Sequence, residues 1–142
     1  MHNPHVTPLD NGDEWVLDAD YTLTLNDGRI IFIPKGFIFD FASTPRITWR
    51  LFPPATGKHR IPALIHDWLV AAKTVSWEEA AKIFLQAMKQ AGVSKIKRYT
   101  MYYAVRIWGY FHIPNHAVVS HWQELQRKRI RESQQIYTTH VI

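Results

Sequence analysis

The clearest alternation of apolar and polar positions begins at Tyr21. Tyr21, Leu23 and Leu25 are apolar, and Thr22 and Thr24 between them are polar. This is the two-residue period of a strand with one buried face. Asn26-Asp27-Gly28 supplies a turn and Arg29 to Ile33 returns, so residues 21–33 read as a hairpin whose Asp-Gly step tolerates positive φ. Pro34-Lys35-Gly36 turns the chain again, and Phe37-Ile38-Phe39 reads as a third short strand. Residues 1–14, polar and interrupted by two prolines and a glycine, read as an irregular arm.

From Pro62 the period changes. Proline suits a first helical turn, and Ala63 to Ala72 is apolar nearly all round, which predicts a buried helix. Ser76 and Glu79 form a capping box ahead of Trp77, Ala80, Ala81, Phe84, Ala87, Met88 and Ala91 at helical spacing, and Gly92 stands where a helix ends. Ser94 opens a third helix running to about Tyr110, with Met101, Ala104, Val105 and Trp108 facing inward. After Pro114-Asn115, residues 120–135 read as a fourth helix. Its apolar positions, Trp122, Leu125 and Ile130, are too few to fold alone, so it needs a surface to lie on. The expected class is α+β: a small antiparallel sheet of about three strands, packed by about three helices, with a peripheral C-terminal helix. The expected organisation is an arm over 1–14, a globular domain over 15–112 and a basic extension over 113–142.

The charge distribution singles out that extension. The chain of 142 residues carries a net charge of +5, yet residues 1–94 hold 9 Lys and Arg against 10 Asp and Glu. Residues 95–142 hold 8 against 2, so the whole excess lies in the last third. Such a stretch can meet an acidic partner, nucleic acid or an anionic surface, or can simply be a solvated helix face. Cysteine is absent, which excludes disulfides and thiolate metal sites. Neither a signal-peptide-like apolar run over 1–20 nor a membrane-length apolar stretch is present.

Four polar groups could carry chemistry: Asp40, His59, His66 and Asp67. Asp40 ends a strand and starts a loop, 40–58, rich in proline but also holding Phe41, Trp49, Leu51 and Phe52. His66 and Asp67 lie within an apolar helix, on opposite flanks of the face shared by Ile61, Leu64, Ile65 and Trp68. Burying them demands hydrogen bonds or a metal. One reading is a hydrolytic site, His66 acting as base or ligand with Asp40 or Asp67 as orienting carboxylate. The other is structural: Asp40 caps the turn through Ala42 and Ser43, and His66 and Asp67 staple the helix to the loop. The expectation is that the pair faces residues 40–46. A His-Asp step also occurs in secreted phospholipases A2, but Val70 replaces the tyrosine found there and no glycine-rich calcium loop is present. P-loop, nucleophile-elbow and His-Glu-x-x-His motifs are missing. The cluster Tyr99, Tyr102, Tyr103 and Arg106 could stack nucleobases, but its spacing suits core and surface positions of the third helix.

The ordered run Gly36-Phe37-x-x-Asp40-x-Ala42-Ser43-x-Pro45-Arg46, Pro53-Pro54, Ala63-x-x-His66-Asp67, Phe84, Met88, Gly92 and Met101-Tyr102-x-Ala104-Val105-Arg106-x-x-Gly109 resembles the domain-of-unknown-function family numbered 1353, over roughly residues 20–110. Members of that family are typically encoded by tailed phages and prophages, often among structural and lysis genes, and no settled activity comes with the name. The chain departs from the family pattern at Val70, where an aromatic is usual, and at Ala81, where an aspartate is usual; Glu78 lies one turn earlier. The resemblance implies a phage virion- or tail-associated accessory protein that docks onto other phage structural proteins, located in the virion or in host cytoplasm before assembly. The expected docking residues are Trp49, Phe52, Trp122, Arg127, Lys128, Arg129 and Arg131, with a homo-oligomer and nucleic acid as lesser alternatives. No cofactor is expected, and the missing aspartate argues against a bound metal. The alternative function is a metal-assisted hydrolase of cell-envelope material, using His66, Asp67 and Asp40.

Overall fold

The computed structural model describes residues 2–10, 14–40 and 57–112. Five short strands come first: β1 (Val6–Pro8), β2 (Trp15–Leu17), β3 (Tyr21–Thr24), β4 (Ile30–Ile33) and β5 (Ile38–Phe39). Three helices follow: α1 (Arg60–Ala72), α2 (Trp77–Gln90) and α3 (Lys95–His112). The class is α+β, as the alternation and the helical spacings imply.

The hairpin forms where the alternation places it. Tyr21 pairs with Ile33 and Leu23 with Ile31, all four buried, while Thr22 and Thr24 face out. Leu25 carbonyl accepts from Gly28 N–H at 2.9 Å, and Leu25 N–H donates to Arg29 carbonyl at 2.8 Å. Among the loop residues only Gly28 has positive φ (90°). The connection is thus a three-residue loop closing on a glycine bulge rather than a mirror-image two-residue turn.

The strands divide into two sheets rather than one. β3 and β4 form one; β1, β2 and β5 form an antiparallel sheet with β2 in the middle. At Gly36 (φ 90°) the chain swings away from β4. Gly36 N–H then donates to Leu17 carbonyl at 2.8 Å, and Leu17 N–H to Phe37 carbonyl at 2.9 Å, which zips β5 onto β2. The arm expected to be irregular contributes β1. Three residues are too few to show a period, and Pro8 is tolerated because β1 is an edge strand.

The helix ends follow the sequence closely. Ser76 Oγ accepts from Glu79 N–H at 3.0 Å at the start of α2. At its end, Gly92 (φ 82°) donates to Lys89 carbonyl and Val93 to Met88 carbonyl, the paired bonds of a Schellman motif. Buried Val93 supplies the hydrophobic contact that accompanies it. α1 packs on β4, β5 and α2, and α2 packs on α3, so α2 is the middle helix. One core joins the strand residues Leu17, Tyr21, Ile31, Ile33 and Phe37 to Leu64, Ile65 and Trp68 of α1 and Phe84 and Met88 of α2. Polar clamps hold the hairpin to α2. Arg29 donates to Asp27, Glu79 and Gln86 at 2.8–3.1 Å, and Gln90 bonds Asn26 N–H and Thr24 carbonyl. The expected fourth helix, at 120–135, lies outside the described residues.

Candidate functional site

Every residue from Ile61 to Leu69 is buried, so α1 is the interior helix its composition predicts. His66 and Asp67 are therefore interior as well, at 0% and 7% exposure. The His66 ring lies against α2. It meets Trp77 edge-on (centroids 5.4 Å, interplanar 86°) and Phe84 at a tilt (5.1 Å, 39°). Burial drives its pKa down to about 3, so the imidazole is neutral at physiological pH. Asp40 follows β5 and is half-buried. His59 is buried at the N-cap of α1.

Trp77 connects this interior to the third helix. Its indole N–H donates to the carbonyl of Val105 at 2.8 Å. The indole can lie there because position 109 is glycine: a Cβ on Gly109 would collide with the Trp77 indole around its nitrogen. The contacts His66–Trp77–Val105 thus run through all three helices, and the aromatic ring on α2 fixes the spacing of α3 from α1.

The structure places the two departures from the family pattern. Ala81 is fully buried and stands between Trp77 and Phe84, four residues after one and three before the other. Position 81 therefore shares the α2 face that meets His66. Glu78 does not take the place of a carboxylate there. It is exposed, and its carboxylate receives Arg106 at 3.2 Å. Val70 is half-buried at the edge of the core. Among the described residues, no group of three or more His, Asp and Glu side chains is arranged to hold a metal ion.

The loop 41–56, with Trp49 and Phe52, lies outside the described residues, as do Trp122, Arg127, Lys128, Arg129 and Arg131. The contact of the His-Asp pair with residues 41–46 falls there too. A different surface appears on α3. Met101, Val105 and Gly109 turn inward, while Ile96, Tyr99, Tyr103 and Ile107 are exposed. Of the cluster expected at core and surface positions of this helix, Tyr99 and Tyr103 are exposed and Tyr102 and Arg106 half-buried. Placing α3 at 100° per residue puts all four in one arc of about 80°, opposite Met101 and Val105.

The molecule is thus a small helix-on-sheet α+β domain with a buried histidine–aromatic junction between its helices. The chain belongs to the DUF1353 family of proteins of unknown function, whose model matches residues 15–105. It is also similar to an uncharacterized protein, y4jT, of Sinorhizobium fredii (strain NBRC 101917 / NGR234), with 28% identity over 94 residues. That match covers 66% of this chain but only 28% of the relative's length. No solved structure matches the chain. No helix among the described residues is long and apolar enough to cross a membrane.

Proposed function

We propose that this protein is a phage virion- or tail-associated accessory protein that works by docking onto other phage structural proteins. The observation that carries docking is the outward stripe of α3, where Ile96, Tyr103 and Ile107 are 83%, 58% and 59% exposed. These large side chains align on the face opposite Met101 and Val105 and stay exposed among the described residues, and a contiguous exposed apolar patch marks an interaction surface. The phage setting is drawn from the family resemblance. A hydrolase built on His66, Asp67 and Asp40 would need those groups to meet a substrate, and the first two are buried. Their position favours a role in fixing the helix packing.

The test is incorporation. Phage particles are purified on a density gradient from a host carrying the gene and analysed by mass spectrometry. The protein is expected to band with the particles, and the full-length chain with Tyr103→Glu and Ile107→Glu is expected to be expressed and folded but left out. Protein that stays wholly in the soluble fraction, or a double variant that bands like the parent, overturns the reading.

A further inference from the structure

Resting on that docking reading, we infer that the outward face of α3 takes a partner α-helix whose apolar seam is flanked by carboxylates. The stripe from Ile96 to Ile107 spans twelve residues of α3, about 16 Å from end to end at helical rise. That is the footprint of a helix laid along a helix, anchored at i, i+3, i+7 and i+11. The charge that α3 itself places beside it has one sign. Lys95, Lys97, Arg98 and Arg106 lie on α3, and no Asp or Glu occurs between 95 and 112. By helical angle, Lys95 and Arg106 border one edge of the stripe, Lys97 lies about 80° beyond the other edge, and Arg98 lies toward the inward face. Arg106 is held in place by Glu78 and the Tyr102 hydroxyl, each at 3.2 Å, and Arg98 lies 5.8 Å from the centre of the Tyr99 ring. The cations therefore border the apolar seam chiefly along its Lys95–Arg106 edge.

This pattern discriminates among occupants. A second copy of α3 would bring like charges together, which disfavours self-association through this face. A nucleic acid strand could stack on Tyr99 and Tyr103, but it offers nothing apolar to Ile96 and Ile107 at the two ends. A helix with leucines on its seam and glutamates beside it covers all four side chains and suits a basic helix that carries no carboxylate of its own.

The experiment is fluorescence anisotropy with the full-length chain and three labelled probes. The first is a stapled helical peptide of about 18 residues with leucines at every third or fourth position and glutamate flanks. The second is the same peptide with lysine flanks, and the third is single-stranded oligothymidine. The glutamate peptide is expected to bind at least ~10-fold more tightly than the lysine peptide, and more weakly as salt rises. Tyr103→Glu with Ile107→Glu is expected to weaken it ~10-fold or more. Should that variant melt without cooperativity, Lys95→Glu with Lys97→Glu serves instead and is expected to reverse the preference between the peptides. Equal binding of the two peptides, stronger binding of oligothymidine, or binding untouched by the substitutions overturns the inference. If neither peptide binds but the Tyr103→Glu, Ile107→Glu chain is still excluded from particles, the acidic helix is wrong and docking through α3 stands. If neither peptide binds and incorporation is unchanged, both fall.

Discussion

Acid should unfold this domain through one buried histidine. His66 has an ordinary imidazole value of 6.5 when the chain is unfolded and about 3 when folded, because burial penalises its cation. Its folded pKa is the depressed one. The stability linked to it is therefore fully present above pH 6.5 and is lost as the pH falls from 6.5 toward 3, where the unfolded chain binds a proton that the folded one refuses. The slope in that window approaches 1.4 kcal/mol per pH unit. Between pH 8 and pH 5 the loss amounts to about 2 kcal/mol, or roughly 5–10 °C in Tm for a domain of this size. The chain holds 8 histidines, so the informative quantity is a difference. Urea unfolding of the parent and of His66→Gln is measured at both pH values, with His66→Leu in reserve if the amide does not fold. The variant is expected to be less stable at pH 8, having lost its fit between Trp77 and Phe84, but to lose about 2 kcal/mol less on acidification. Parallel losses in parent and variant, or an NMR titration of His66 near 6.5, would refute the burial argument.

Two further outcomes follow from the packing. Gly109→Ala is expected to destabilise the fold by roughly 1–3 kcal/mol in urea, although alanine is the better helix former, because the methyl collides with Trp77; an unchanged or raised midpoint would show that Trp77 does not sit on α3. Arg29→Met is expected to speed amide exchange at the tip of the hairpin and to let the Asp27 carboxyl, held at about 2 chiefly by its hydrogen bond to the Arg29 side chain, titrate near 3.8. Unaltered exchange and an unmoved Asp27 titration by NMR would show that the clamp is not formed in solution.

Local signals made the helices and the hairpin legible. Ser76 with Glu79 fixed one end of α2 and Gly92 the other, since capping depends on residues a few positions apart. The alternation from Tyr21 to Leu25 located the buried face of the hairpin for the same reason. The second sheet was not legible, because β1 and β2 are three residues each and acquire their identity only by pairing with each other and with β5. Pairing of that kind is non-local and leaves no period. At the candidate site, the burial of His66 could be read from its apolar neighbours. Its contact with Trp77, and the dependence of Trp77 on Gly109, could not, because they join residues from three helices. The stripe on α3 was not legible, because large apolar side chains at helical spacing suit an interior face as well as an exposed one, and only the packing of Met101 and Val105 decides between them.

The most direct test of docking through α3 is photocrosslinking from position 103. A benzoyl-phenylalanine replaces Tyr103 in the full-length chain, expressed in a host that assembles the particles, with the same residue at exposed Lys82 of α2 as a control. A light-dependent adduct to one discrete structural protein from position 103, and none from position 82, is the expected result. Adducts confined to the chain itself, to nucleic acid, or equal from both positions contradict it.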